Sequence, residues 1–338
     1  MYNGDRKANS SGGAGQILVV RLGSMGDILH TLPAVASLKH SFPASRITWL
    51  VKPRWAVLLD GNVFVDRVIQ FDRRSFAGWR GLWREFRRER FDFAVDFQGL
   101  IQSAALASLS RSERIYGYHR SQVREPLAAT LYSNSVLAPS THIVDQHLDL
   151  VTAAGAASIV HQFPLPEGAP ADPLPDGDFV LASPMAGWTS KQWPLEYYDA
   201  LAGRLYRELG VPLVVNGPPG ALDALASVRE AHRHLSGLPG LIHATRQAAA
   251  VVGVDSGPMH LAAALGKSGI AIFGPTDPAR NGPYGKTMTV LRSPDAVTSY
   301  ARRSTIDLSM RAIGPDAVLE ALKFQLAHRG SASAARSV

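Results

Sequence analysis

The sequence predicts an α/β protein built from two doubly wound, parallel-sheet units that face a common cleft. Three observations carry that prediction. Strand-like and helix-like segments alternate along nearly the whole chain, the pattern that gives parallel sheets covered by helices. The alternation stops once, at 161–178, HQFPLPEGAPADPLPDGD, where five prolines leave neither a helical nor a strand period. The chain has 338 residues, and a single core stops growing near ~250–300, so two cores are the physical default.

In chain order, QILVVR (16–21) is a nearly continuous apolar run, as a strand buried on both faces requires, and LGSMGD (22–27) is the turn after it. ILHTLPAVASLKHSF then reads as a helix, with Pro33 tolerable only near its first turns. RITWLV (46–51), RVIQF (67–71), FDFAVDF (91–97) and ERIYGY (113–118) read as strands, and SAALASL (103–109) as a helical piece. After the prolines, FVLAS (179–183) is a strand, and LEYYDALAGRLYREL (195–209) is an amphipathic helix stopped by Gly210. VPLVVNG (211–217) is a strand and ALDALASVREAHRHL (221–235) a helix. QAAAVVGV (247–254) is a strand entering the capped helix DSGPMHLAAALG (255–266). GIAIFG (269–274) is another strand, and DAVLEALKFQLA (316–327) a last helix. The expected organisation is a flexible tail at 1–15, a first unit at 16–165, a linker at 166–178, a second unit at 179–315, a C-terminal helix at 316–328 and a tail at 329–338.

Apolar residues make up 46% and charged residues 19%, which excludes a disordered or fibrous chain. With no cysteine, a disulfide framework, thiol catalysis and Cys-ligated zinc are excluded, and a reducing compartment fits. No apolar run approaches the ~18 residues of a spanning helix, and the N-terminus has no hydrophobic signal core, so a cytoplasmic protein is expected. The net charge of +7 is uneven: residues 1–165 hold 19 Lys and Arg against 13 Asp and Glu, and the remainder is nearly balanced. Seven arginines lie between 73 and 90, with Glu85 and Glu89 opposing them. A solvated helix face is one reading, since Leu82, Trp83 and Phe86 supply an apolar stripe; anionic lipid headgroups or a phosphorylated ligand are the others. No nucleic-acid motif is present.

In open α/β sheets, ligands gather at the carboxyl ends of strands. Asp27, ending the first turn, is either a helix cap or a general base facing the cleft. In VDSGPMH (254–260), Ser256 can cap, Pro258 suits a first helical position and Gly257 permits close approach. The free amides of such a helix start suit a phosphate, and His260 stands one turn inside. Asp277 in FGPTDP reads as a turn former, and Lys191 in WTSKQWP, taken alone, as surface. Gly266-Lys267-Ser268 resembles the end of a P-loop, but Leu261 stands where its glycine belongs. Gly253 to Gly257 has nucleophile-elbow spacing with Asp255 in the nucleophile slot, and His328 could complete a triad. His142 and Asp145 have ligand spacing but no third partner, so no metal site is expected.

Together ILVVRLGSMGDILHTLPA, DFQGLIQSAAL, REPLAATLY, SKQWP, VVGVDSGPMHLAAAL and FGPTDPARNGPYG resemble glycosyltransferase family 9, the ADP-heptose:lipopolysaccharide heptosyltransferases, over roughly residues 16–328. The GSMGDILHTLPA and REPLAATLY segments are most similar to the branch that adds the first heptose to the Kdo of the inner core. The resemblance implies a GT-B fold, two Rossmann-like domains facing a central cleft, the acceptor on the first and the nucleotide-sugar on the second. It implies inverting transfer without a metal or other cofactor, from ADP-heptose to a Kdo-lipid A acceptor, by a cytoplasmic enzyme in peripheral contact with the anionic inner-membrane surface. Carried over by position, Asp27 is the catalytic base. Lys191, Asp255, Ser256, Gly257, His260 and Thr276 fall on the donor, and Ser24, Arg73, Arg74, Gln98, Arg124 and His142 on the acceptor. A relative with another acceptor or sugar, an aspartate-nucleophile α/β hydrolase and a non-catalytic ADP-sugar binder are the alternatives.

Overall fold

A computed structural model describes residues 15–334; residues 1–14 of the expected first tail and 335–338 of the expected tail at 329–338 lie outside them. The first unit comprises β1 (Gln16–Val20), α1 (Met25–Ser41), β2 (Arg46–Val51), β3 (Arg67–Gln70), α2 (Phe76–Arg88), β4 (Phe93–Asp96), α3 (Ile101–Leu109), β5 (Arg114–Tyr118), β6 (Asn134–Val136) and α4 (Ile143–Ala153). The second comprises β7 (Val180–Ser183), α5 (Leu195–Leu209), β8 (Leu213–Gly217), β9 (His232–Leu235), α6 (Leu238–Gln247), β10 (Ala250–Val254), α7 (Gly257–Ala264), β11 (Gly269–Phe273), α8 (Pro278–Asn281), β12 (Met288–Arg292), α9 (Leu308–Arg311) and α10 (Pro315–Ala334).

The strands form two six-stranded sheets, ordered β3-β2-β1-β4-β5-β6 and β12-β11-β10-β7-β8-β9, with every pairing parallel. Counted within each unit, the two orders are the same doubly wound order. Connections leave in opposite directions from β1 and β4, and again from β7 and β10, and a crevice opens there beyond the strand ends. The central strands earn their place by composition. β1 and β10 are almost entirely apolar and buried along both faces, as strands between two helical layers must be.

The two units meet along α1 and α7. One apolar cluster runs through Met25, Ile28 and Leu29 of α1 and Met259 and Leu261 of α7. Glycines allow the approach: a Cβ on Gly26 would lie 2.7 Å from the His260 ring, and one on Gly257 within 2.9 Å of Met25 Cβ. The proline-rich connection between α4 and β7 contains no helix or strand, as expected, but it is pinned down. Arg246 donates to the Leu165 and Pro166 carbonyls, and Asn62 to that of Pro164.

Three expectations need correction. The helix expected at 221–235 is a single 3-10 turn, Asp223–Leu225, followed by β9. Asp199 draws the Arg229 and Glu230 N–H groups onto its carboxylate, and the buried Asn216 amide bonds His234, so pairing with β8 prevails over local helical propensity. Pro33 lies two turns inside α1, because the helix already starts at Met25; deep burial of α1 offsets the missing bond. The closing helix continues to Ala334, past the 328 where the sequence pattern ended it.

Candidate active site

Both crevices open into one cavity of about 800 Å³ between the sheets. From the first sheet, Arg21 directly follows β1, with its side chain 8% exposed and its Nη2 2.5 Å from Asp27 Oδ1. Asp27 Oδ2 accepts from the Ser24 N–H at 2.6 Å and the Ser24 hydroxyl at 2.9 Å. Asp27 thus closes the first turn of α1. Its side chain, 39% exposed, nevertheless opens to the cavity. Burial pushes the Asp27 carboxyl up, but Arg21 and the two Ser24 donors outweigh it and hold it below the ordinary aspartate value. The group is ionised at neutral pH. Arg21 also donates to the Phe97 carbonyl, and Gln98 accepts from the Leu22 N–H at 2.9 Å, so the loops after β1 and β4 brace each other. Arg124, from the loop after β5, completes this wall.

From the second sheet, Asp255 follows β10 and is 7% exposed. Its Oδ2 lies 2.6 Å from Lys191 Nζ and its Oδ1 3.4 Å from His260 Nε2. Burial would raise the Asp255 carboxyl; His260 and Lys191 overcome that and hold it far below the ordinary value. Lys191 stands on the 3-10 turn Thr189–Lys191 after β7, with its ammonium 4.4 Å from the centre of the Trp188 ring. Arg302 lies 5.1 Å from the same ring. Ser256 occupies the N-cap position of α7, but its buried hydroxyl makes no cap hydrogen bond, so the first N–H groups of the helix are left to favour a bound anion.

Ser24, Asp27, Gln98, Arg124, Lys191, Asp255, Ser256, Gly257 and His260 therefore line one cavity. Four expected site residues do not. Arg73 and Arg74 lie in an exposed turn after β3, two strands from β1, held by Asp72 accepting from the Arg74 N–H. Thr276 is buried with its hydroxyl unpartnered and does not line the cavity. His142 caps α4, accepting from the Val144 N–H, and its Nε2 is 3.2 Å from the Gly282 carbonyl, so it bridges the two units. The hydrolase alternative fails on geometry: Asp255 is taken by Lys191 and His260, while His328 bonds the Phe324 carbonyl on α10 and does not line the cavity. Among the described residues no three His, Cys, Asp or Glu side chains converge as a metal site.

Sequence reasoning missed Arg21, His30, Trp188 and Arg302, all lining the cavity. Arg21 had a signal, a charge closing a buried strand, and Trp188 sits in the same segment as Lys191. Arg302 belongs to a stretch without period or motif.

Two doubly wound sheets whose switch points share one charged cleft make up the GT-B fold. The chain belongs to glycosyltransferase family 9, the heptosyltransferase family, whose sequence model matches residues 79–307. It is 29% identical over 326 residues to lipopolysaccharide heptosyltransferase 1 of Escherichia coli K12, covering 88% of this chain and 98% of that one. It is also 29% identical over 303 residues to lipopolysaccharide heptosyltransferase 1 of Pseudomonas aeruginosa PAO1, covering 82% and 84%. The solved structure of E. coli heptosyltransferase WaaC with ADP superposes with a TM-score of 0.73 at 25% identity, covering 92% of this chain and 99% of that one.

Proposed function

We propose that this enzyme moves L-glycero-D-manno-heptose from ADP-heptose to the Kdo of the lipopolysaccharide inner core, inverting the anomeric carbon without a metal. The observation that supports this most is a single cavity with an ionised carboxylate on one sheet and a lysine beside a helix N-terminus on the other. The relatives named above as lipopolysaccharide heptosyltransferase 1 support heptose as the sugar and lipopolysaccharide as the acceptor, and Kdo rests on the resemblance of the GSMGDILHTLPA and REPLAATLY segments.

In this reading the diphosphate rests on the first amides of α7, near Gly257, and on Lys191. An acceptor hydroxyl, held between Asp27 and the sugar, attacks the anomeric carbon from the face opposite the diphosphate. Its oxygen forms the new C–O bond as the old one breaks, the bonding pair leaves with ADP, and the hydroxyl proton passes to Asp27. Arg21 stops Asp27 from turning away and keeps it ionised before the step. The basic outer face of α2 supports a peripheral position on the cytoplasmic side of the inner membrane. Phe76 (78% exposed) and Trp83 (60% exposed) stand among Arg80, Arg84, Arg87 and Arg88, and Arg87 lies 4.5 Å from the Trp83 ring centre. Among the described residues no helix is long and apolar enough to cross a membrane.

The test is a product assay with purified protein, ADP-heptose and Kdo-bearing lipid A, read by mass spectrometry with and without EDTA. One added heptose in both samples supports the proposal. No addition to this acceptor would overturn the Kdo assignment, and loss of product in EDTA would remove the metal-free step.

A further inference from the structure

We propose that His30 is a positioning residue through which the acceptor unit fixes the donor-side charges. This rests on the functional reading above, because it concerns the same cavity. His30 and Asp27 lie one turn apart on α1, so they share a helix face. His30 Nε2 lies 3.1 Å from His260 Nδ1, with the rings edge to face at 4.3 Å. From His260 the contacts continue to Asp255 at 3.4 Å and from Asp255 to Lys191 at 2.6 Å. A single line of side chains thus runs from the helix bearing Asp27 to the lysine beside the diphosphate site, crossing from one unit to the other.

The protons along it are constrained. For His260 to donate Nε2–H to Asp255 in its neutral form, its Nδ1 must be an acceptor, so His30 must supply Nε2–H. Burial holds His30 well below the ordinary histidine value, and the charges of His260, His147, His142 and Arg21 add to it, so a neutral donor is the form present near pH 7. Ring packing alone does not require this arrangement, since an apolar side chain at 30 would fill the same space. What it would lose is the orientation of His260 and, through it, of Asp255 and Lys191. The line depends on the packing of α1 against α7, since His30 and His260 stand on those two helices.

His30→Leu and His30→Gln are the variants, the glutamine keeping an N–H donor near the position of Nε2. With ADP-heptose as donor and a soluble Kdo-bearing acceptor, His30→Leu should raise the donor KM and lower kcat, about tenfold together for one lost buried hydrogen bond, and leave the acceptor KM unchanged. His30→Gln should recover most of that loss. Nitrogen-15 spectra of the full wild-type chain should show His260 protonated at Nε2 with an accepting Nδ1, and this pattern should weaken in His30→Leu. Equal kinetics for the two variants, a change confined to the acceptor KM, or a His260 protonated at Nδ1 would each overturn the proposal. If His30→Leu does not fold, His30→Gln and the wild-type spectra still decide it. A wild type that transfers no sugar would instead sink the functional reading, while the spectra would still test His30.

Discussion

Replacing Asp27 by Asn separates the two duties of that side chain. Asparagine keeps the volume and keeps an oxygen for the Ser24 N–H, now 2.6 Å from Asp27 Oδ2. It removes the negative charge 2.5 Å from Arg21 and the basic oxygen that would take the acceptor proton. The structural loss is modest. Asp27 is 39% exposed, so solvent screens the pair, and about 1–2 kcal/mol is expected. The catalytic loss is larger: a general base contributes ~10²–10⁴-fold, or about 3–5 kcal/mol of barrier at ~1.4 kcal/mol per tenfold. ADP affinity should change little, because the charge and hydrogen-bond partners of Asp27 are Arg21 and Ser24 of its own unit, whereas Lys191 pairs with Asp255. Thermal unfolding, calorimetric titration with ADP and steady-state ADP release read the three quantities separately. A variant with wild-type kcat and a lowered Tm would show that Asp27 is a helix cap only. A parallel fall in ADP affinity would show that the two sides of the cavity have been divided wrongly.

Three further expectations concern the rest of the cleft. Lys191→Ala should weaken ADP binding by about 1.5–3 kcal/mol, measured by titration calorimetry, because a charge-assisted contact is lost and Asp255 is left buried without its cation. Asp27 and Asp255 both have lowered carboxyl values, so the stability they contribute is present above the ordinary value of 3.8 and lost as pH falls below it toward their folded values. Unfolding midpoints should therefore change little through these groups from neutral pH to about 4, and less steeply below that in the Asp27→Asn variant. Replacing Arg84, Arg87 and Arg88 by Ala should slow turnover on acceptor held in anionic vesicles, increasingly so at low salt, and leave a soluble acceptor unaffected; Arg73 and Arg74, outside the cavity, should raise the KM of a soluble acceptor only if that acceptor reaches past β3.

Local chemistry made the strand-to-helix turns legible. Gly23 and Gly26 around Ser24 and Asp27, and Asp255, Ser256, Gly257 and Pro258, combine turn residues, caps and an apolar strand within a few positions, and the structure brings both turns to switch points of their sheets. β9 was illegible because its pairing depends on Asp199 and Asn216, which hold it from outside the segment. His30 was hidden for a stronger reason. On α1 it is one more residue of a buried face, and its partner His260 lies 230 positions away. Arg73 and Arg74 came from the family resemblance, and the structure places them in an exposed turn after an outer strand, outside the cavity.

The stereochemistry of transfer tests the central claim most directly, that Asp27 on one sheet and Lys191 with α7 on the other carry out a single displacement between them. The measurement is the anomeric configuration of the newly added sugar, read by NMR on product from a soluble Kdo-bearing acceptor and compared with that of the ADP-heptose supplied. One displacement by an acceptor hydroxyl predicts the opposite configuration in the product. Retention would require either two successive displacements or attack from the face the diphosphate leaves, and either would contradict both the base assigned to Asp27 and the geometry of attack built on it.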